Sequence, residues 1–258
     1  IYLMLKSPVL ELLTNENNEV TGVIVKTEDG EQRIKAKKVI LATNGFGANT
    51  KMVRQFIPEI SEALYFGYEA NTGEGINMGI KVGADIGNMQ AYQGHSAVNE
   101  SSGILVTWGT IMMGGFMINK EGKRFGNETK GYSEFAVEVL KQPEQYGIII
   151  FDQEIYEELV SHEDFKNLHE MNAFKKGETI EELAVQLDVN KKNVINTFNT
   201  FQKNEDDYPD AFQRTDFAKK LKEPLYGIKV VRALFHTQGG LKINDYAQVL
   251  NKDNRIIK

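Results

Sequence analysis

His236-Thr237-Gln238-Gly239-Gly240-Leu241-Lys242-Ile243-Asn244 is the stretch on which the fold turns. A histidine and a hydroxyl residue stand directly before two glycines at the edge of a β-type run. A polar ring and bare backbone can there meet a flat ligand at close range. Three upstream segments share this character: Val39-Ile40-Leu41-Ala42-Thr43-Asn44-Gly45-Phe46-Gly47, Thr72-Gly73-Glu74-Gly75, and the run Asn-Lys-Glu-Gly-Lys-Arg-Phe-Gly-Asn-Glu from Asn119 to Glu128.

Outward from these segments, the first 43 residues read as β structure. Tyr2 to Lys6 and Val9 to Leu13 are short apolar runs, and Val20 to Lys26 carries the β-branched residues of a strand. Turn-rich Asn15 to Glu19 and Glu28-Asp29-Gly30 separate them. Lys38 to Thr43 reads as a buried strand that runs into a glycine-bearing loop. A helix should follow, with Thr50 as its cap and Pro58 beyond its end. Glu74 and two glycines suit the start of a short helix through Val82. Past Gln90 the pattern becomes helical: Tyr132 to Lys141, Gln153 to Ser161, a capping box at Thr179 and Glu182, and Asn190 to Lys203. Gly147 to Phe151 and Tyr226 to Arg232 read as strands. The expected organisation is therefore α/β (α+β), with residues 1–91 and 216–258 forming one β-rich domain and 92–215 inserted in it.

Composition narrows the function classes. The net charge of −6 is spread without a long single-sign block, so there is no footprint for nucleic acid or an anionic membrane. Zero cysteines exclude disulfides and thiolate metal sites and fit a reducing compartment, with a cytoplasmic address as the expectation. No apolar run approaches the ~20 residues of a membrane helix. No nucleophilic triad, P-loop or metal cluster is evident.

In this order, the glycine-bearing segments resemble the FAD-dependent fumarate reductase/succinate dehydrogenase flavoprotein superfamily. Glu181 to Ala184, Phe198 to Lys203, Asp210 to Arg214 and Glu223 to Gly227 extend the resemblance over nearly the whole chain. It implies a partial Rossmann-like FAD-binding domain with an inserted α+β cap domain, and FAD as cofactor. The family's opening strand–glycine turn–helix would precede Ile1, and its closing glycine pair and substrate-binding arginine would follow Lys258. The chain thus resembles an internal piece, expected to hold FAD weakly or not at all.

The resemblance also assigns residues. Val9, Thr43, Asn44, Gly45, Thr72, Gly73, Glu74, Gly75, Thr237 and Gly239 would contact FAD. His95, Thr107, Trp108 and His236 would bind substrate. Imidazole N–H and hydroxyl donors suit a carboxylate or carbonyl oxygen, because charge-assisted hydrogen bonds strengthen as negative charge develops. Asn44 stands where glycine is common, which a left-handed turn tolerates. His162 and His169, among acidic and amide residues, read as surface positions. Arg124 and Glu128 read as a structural brace.

Three positions depart from the fumarate reductase pattern. Trp108 replaces a glutamate, Ile111 an arginine, and Tyr132 the proton-donating arginine. Apolar and aromatic groups thus stand in place of the arginine–glutamate relay. A phenol can protonate a carbanion but needs activation to act as a base at neutral pH. Tyr132 and His236 are accordingly the expected catalytic residues, although Tyr132 could instead only pack at a helix start. The implied reaction moves a hydride between flavin N5 and a C–C bond beside a carboxylate or ketone, with a small-molecule substrate and an electron donor or acceptor of unknown identity. Ketosteroid-type dehydrogenation is the alternative, and an inactive core without bound FAD is a third reading.

Overall fold

The computed structural model describes residues 2–204 and 206–258, and they divide into two compact units. The first comprises Ile1–Ser61, Gly67–Tyr92 and His236–Lys258; the second comprises Glu62–Phe66 and Gln93–Phe235.

In chain order the first unit opens with three strands, β1 (Val9–Thr14), β2 (Val20–Thr27) and β3 (Gly30–Lys35), in an antiparallel meander. The turn expected at Glu28 to Gly30 joins β2 to β3. Helix α1 (Thr50–Phe56) follows the glycine loop and ends two residues before Pro58. Its cap is Asn49 rather than Thr50: the Asn49 side-chain oxygen Oδ1 accepts from Met52 N at 3.1 Å, and Thr50 is the first helical residue. An amide at this position satisfies one of the helix's orphan donors as well as a hydroxyl does.

Strand β4 (Leu64–Tyr65) belongs to the second unit. The first unit resumes with α2 (Glu74–Lys81) and β5 (Ile86–Gly87). Gly73 caps α2 at φ +83°, a conformation that favours glycine. Ile76 and Met78 point into a core that also holds Phe46, Val53 and Ile57.

Two expected strands do not form. Tyr2 to Lys6 has no strand pairing among the described residues and exposes Tyr2, Leu3 and Leu5. Lys38 to Thr43 also has no strand pairing among them, and Ile40 is 91% exposed. The apolar run is present in both, but a strand also needs a neighbour for its backbone groups.

The second unit is organised by β6 (Tyr92–Asn99), α3 (Gly109–Met112), β7 (Phe116–Ile118), α4 (Tyr132–Leu140), β8 (Tyr146–Asp152), α5 (Gln153–Leu159), α6 (Glu163–Glu170), β9 (Lys175–Gly177), α7 (Ile180–Gln186), α8 (Lys191–Phe201) and β10 (Leu225–Thr237). Strands β4, β10, β8 and β7 run side by side, and β6 and β9 also pair with β10. Strand β8 is buried along its whole length, as its Ile148-Ile149-Ile150-Phe151 run requires. Helix α8 presents Val194, Phe198 and Phe201 to the same core, one apolar face at helical spacing. The capping box of α7 is present: Thr179 Oγ1 accepts from Glu182 N at 3.3 Å, while the Glu182 carboxylate accepts from Glu178 N at 3.0 Å.

The first unit closes with β11 (Gly240–Leu241) antiparallel to β5. The return to it falls at 235/236 rather than at the expected 215/216. Residues 225–231 pair antiparallel with β8, which ties that part of β10 to the second unit.

Candidate active site

The candidate residues fall into two groups, one in each unit. In the first unit a cleft of about 730 Å³ is lined by Thr43, Asn44, Gly75 and Gly239, together with apolar side chains such as Ile40 and Leu241. Asn44 adopts φ +58°, and its side-chain oxygen accepts from Gly45 N at 2.8 Å. The amide side chain thus stabilises the left-handed turn that its position demands.

Gly45 and Gly75 have no room for a Cβ, because Thr237 Oγ1 faces the one and Thr43 Oγ1 the other. The Thr237 hydroxyl also accepts from Phe46 N at 2.9 Å. The glycine loop is therefore clamped to the start of the His236–Asn244 segment. Val9, Gly45, Thr72, Gly73, Glu74 and Thr237 lie outside the lining of the cleft. Of these, Gly45 and Thr237 pack against each other, and the Thr72 hydroxyl donates to the Glu74 carboxylate at the start of α2. His236 is exposed and belongs to this unit.

The second unit gathers His95, Trp108 and Tyr132. The His95 ring is sandwiched between Tyr132, at 4.5 Å and 20°, and Phe235, at 5.1 Å and 14°. Phe235 in turn stacks on Phe66 at 4.8 Å. Trp108 meets the His95 ring edge-on at 6.1 Å. His95 Nδ1 accepts from Ala97 N at 3.1 Å, which leaves the ring proton on Nε2. Burial lowers the His95 pKa from 6.5 to about 4, so the imidazole is neutral at pH 7 and acts as a hydrogen-bond donor rather than a cation.

Tyr132 is the first residue of α4, and its hydroxyl oxygen accepts from Gln93 Nε2 at 3.0 Å. The phenolic proton is left to be donated. Thr107 is half-buried, and its hydroxyl oxygen accepts from Gly109 N at 3.2 Å.

Gln93, Phe235 and Phe66 escape the sequence reading. Gln93 could have been found, because it stands two residues before His95 on a strand, where alternate side chains share a face. Phe66 and Phe235 reach the stack through the parallel pairing of β4 with β10, which local sequence does not encode.

Arg124 and Glu128 form the expected brace. Arg124 donates to Glu128 at 2.9 and 2.6 Å and to Asp210 at 2.5 Å, and Arg214 donates to Glu128 at 3.2 Å. Both guanidinium groups also flank the Phe201 ring at 5.1 Å. Burial works against the charge on Arg124, but its bonds to Glu128 and Asp210 outweigh that and raise its pKa. His162 and His169 are exposed, as expected. Among the described residues there is no group of side chains that could hold a metal ion, and no helix is long and apolar enough to cross a membrane.

Known proteins resemble this chain over nearly its whole length. A family model described as an FAD binding domain matches residues 1–258. A probable fumarate reductase of Shewanella frigidimarina is 30% identical over 98% of this chain and 43% of its own length. A urocanate reductase of Eggerthella lenta is 29% identical over 94% of this chain and 42% of its own. The open conformation of a flavocytochrome c3 fumarate reductase superposes with a TM-score of 0.79 at 30% identity, covering 97% of this chain and 44% of that one. The chain thus spans less than half the length of these relatives.

Proposed function

This chain belongs to the FAD-binding domain family, and from that we propose that it serves an FAD-dependent oxidoreductase acting on a carbon–carbon bond beside a carboxylate or ketone. The first unit would be the partial Rossmann-like cofactor domain and the second the substrate cap. The relatives' names, fumarate and urocanate reductase, support a conjugated acid as substrate.

The first-unit cleft suits FAD. Gly45, Gly75 and Gly239 leave no room for a Cβ, so Thr237, Thr43 and the Asn88–Met89 backbone pack directly on them and fix the loops around it. Thr43, Asn44, Gly75 and Gly239 would hold the cofactor, which supplies hydride exchange at N5 when bound. The run Lys38 to Thr43 lines the cleft without a strand partner among the described residues, which supports weak retention of FAD.

The protein's own groups have distinct tasks. His95 Nε2–H and the Thr107 hydroxyl would bind the activating oxygen, and Trp108 would wall the site. Tyr132 would carry the proton. In the reducing direction one carbon receives a hydride and its neighbour takes the phenolic proton, which solvent then restores. Gln93 positions the phenol by donating to its oxygen.

The observation that carries this reading is the Gln93–Tyr132–His95 arrangement, in which a proton-bearing phenol is stacked on a neutral imidazole donor. Tyr132→Phe in the flavin-loaded protein should lower turnover by about 10²–10⁴-fold, the usual worth of a general acid, with flavin binding unchanged. Turnover equal to the parent would remove Tyr132 from the mechanism. Assays with dicarboxylates and with ketosteroids, each supplied with an artificial electron donor or acceptor, separate reduction from ketosteroid-type desaturation.

A further inference from the structure

Tyr132 is the first residue of α4, yet that helix has no side-chain cap of its own. Its N-cap is Gly131 at φ +118°, a residue that fixes little by itself. The bond from Phe135 N to Gly131 O, at 3.0 Å, hangs on that glycine. Two bonds reach this end of α4 from β6: Gln93 Nε2 to the Tyr132 hydroxyl at 3.0 Å, and Gly94 N to Ser133 Oγ at 3.3 Å. Both act on side chains, so neither fixes the backbone that carries the phenol.

The backbone is fixed one turn upstream. Glu128–Lys130 form a short 3₁₀ turn, and Glu128 O accepts from Gly131 N at 3.4 Å. Asn127 caps that turn, its Oδ1 accepting from Thr129 N at 3.0 Å and from Thr129 Oγ1 at 2.7 Å. Asn127 Nδ2 donates to Gln213 O at 2.7 Å. Glu128 is fully buried and ties the turn to β7 through Met117 N at 3.1 Å, and to Arg124 and Arg214. Arg214, equally buried, extends the anchor to Gly115 O at 3.0 Å and Asp216 O at 2.7 Å. A buried ion network often gains nothing in stability over apolar residues of equal volume. What a fully bonded one supplies here is a single arrangement of the turn.

Resting on the oxidoreductase reading above, we infer that Asn127 and Glu128 are positioning residues, fixing the turn that delivers Tyr132 to its place against His95 and Gln93. Neither shares a hydrogen bond with the phenol; both act through the backbone of residues 128–132.

Asn127→Ala removes the cap and the bond to Gln213 and leaves the buried network whole, whereas Glu128→Gln removes the anion. The flavin-loaded protein would be assayed with fumarate and reduced viologen, and with a 3-ketosteroid and an artificial acceptor. Asn127→Ala should lower kcat by about 10- to 100-fold, the cost of misplacing a reacting group by ~1 Å, and leave KM within about twofold. Made on the Tyr132→Phe background, it should lower kcat no further, because no phenolic proton is left to misplace. Amide hydrogen exchange gives a readout free of turnover: Phe135 N should exchange at least about tenfold faster in either variant, with α8 unchanged.

A kcat equal to the parent's, a fall of the same size on both backgrounds, or exchange that quickens equally in α4 and α8 would each overturn the inference. Should Glu128→Gln fail to fold, Asn127→Ala decides alone. The oxidoreductase reading fails by a different measurement, namely no turnover of either substrate by the flavin-loaded parent. The exchange data would then still show whether Asn127 sets the place of Tyr132.

Discussion

His95 shows how one buried side chain couples folding to acidity. Its folded pKa of about 4 lies below the 6.5 of an exposed imidazole. Between those values the unfolded chain takes up a proton that the folded chain refuses. Stability must therefore be full above pH 6.5 and fall as the pH drops towards 4, by up to about 3 kcal/mol from this residue. Urea unfolding at pH 7 and pH 4.5 should show a smaller loss for His95→Gln than for the parent; equal losses would show that the imidazole is not held neutral. The sequence made His95 and Tyr132 visible because both sit at recognisable spacings from glycine and Asn-Glu landmarks. It could not reveal that the two rings stack, because their contact depends on β6 and the start of α4 meeting across 37 residues.

Elements with their own local signals were legible, and those that depend on a partner were not. Helices α7 and α8 announce themselves by caps and by apolar faces, and both stand where the pattern places them. Lys38 to Thr43 carries an equally strong apolar signal but has no strand to pair with among the described residues. Apolar periodicity reports the wish for burial, whereas strand pairing is set elsewhere in the chain. The loop between β7 and α4 depends on charge in a similar way. Glu128 is fully buried and accepts from Arg124, Arg214 and the Met117 N–H, so it holds the loop to the sheet and to the segment around Asp210. Glu128→Gln removes the anion and leaves Arg214 without a carboxylate partner and Arg124 with Asp210 alone, at an expected cost of about 3–5 kcal/mol in chemical denaturation. A loss below about 1 kcal/mol would show that the arginines find other partners.

For the molecule as a whole, the proposed cofactor offers a direct test. If the first-unit cleft takes FAD only weakly, the purified chain should lack a flavin absorption band, yet added FAD should raise the melting temperature. At 100 times its Kd a ligand that binds only the folded state stabilises by about 2.7 kcal/mol. A flavin band that survives purification would refute weak retention, and no thermal shift at millimolar FAD would remove the cleft as the cofactor site.

Five residues far from the rest of the second unit in sequence, Glu62–Phe66, have a practical consequence for engineering. Leu64 and Tyr65 pair with Ala233 and Leu234 of β10, Phe66 N donates to Leu234 O at 2.8 Å, and the Phe66 ring ends the aromatic stack. Any chimera that transplants residues 93–235 from a homologue must therefore carry this short ribbon along with them. A single-crossover swap would marry a foreign β10 to a native edge and break the register of the ring column in the process.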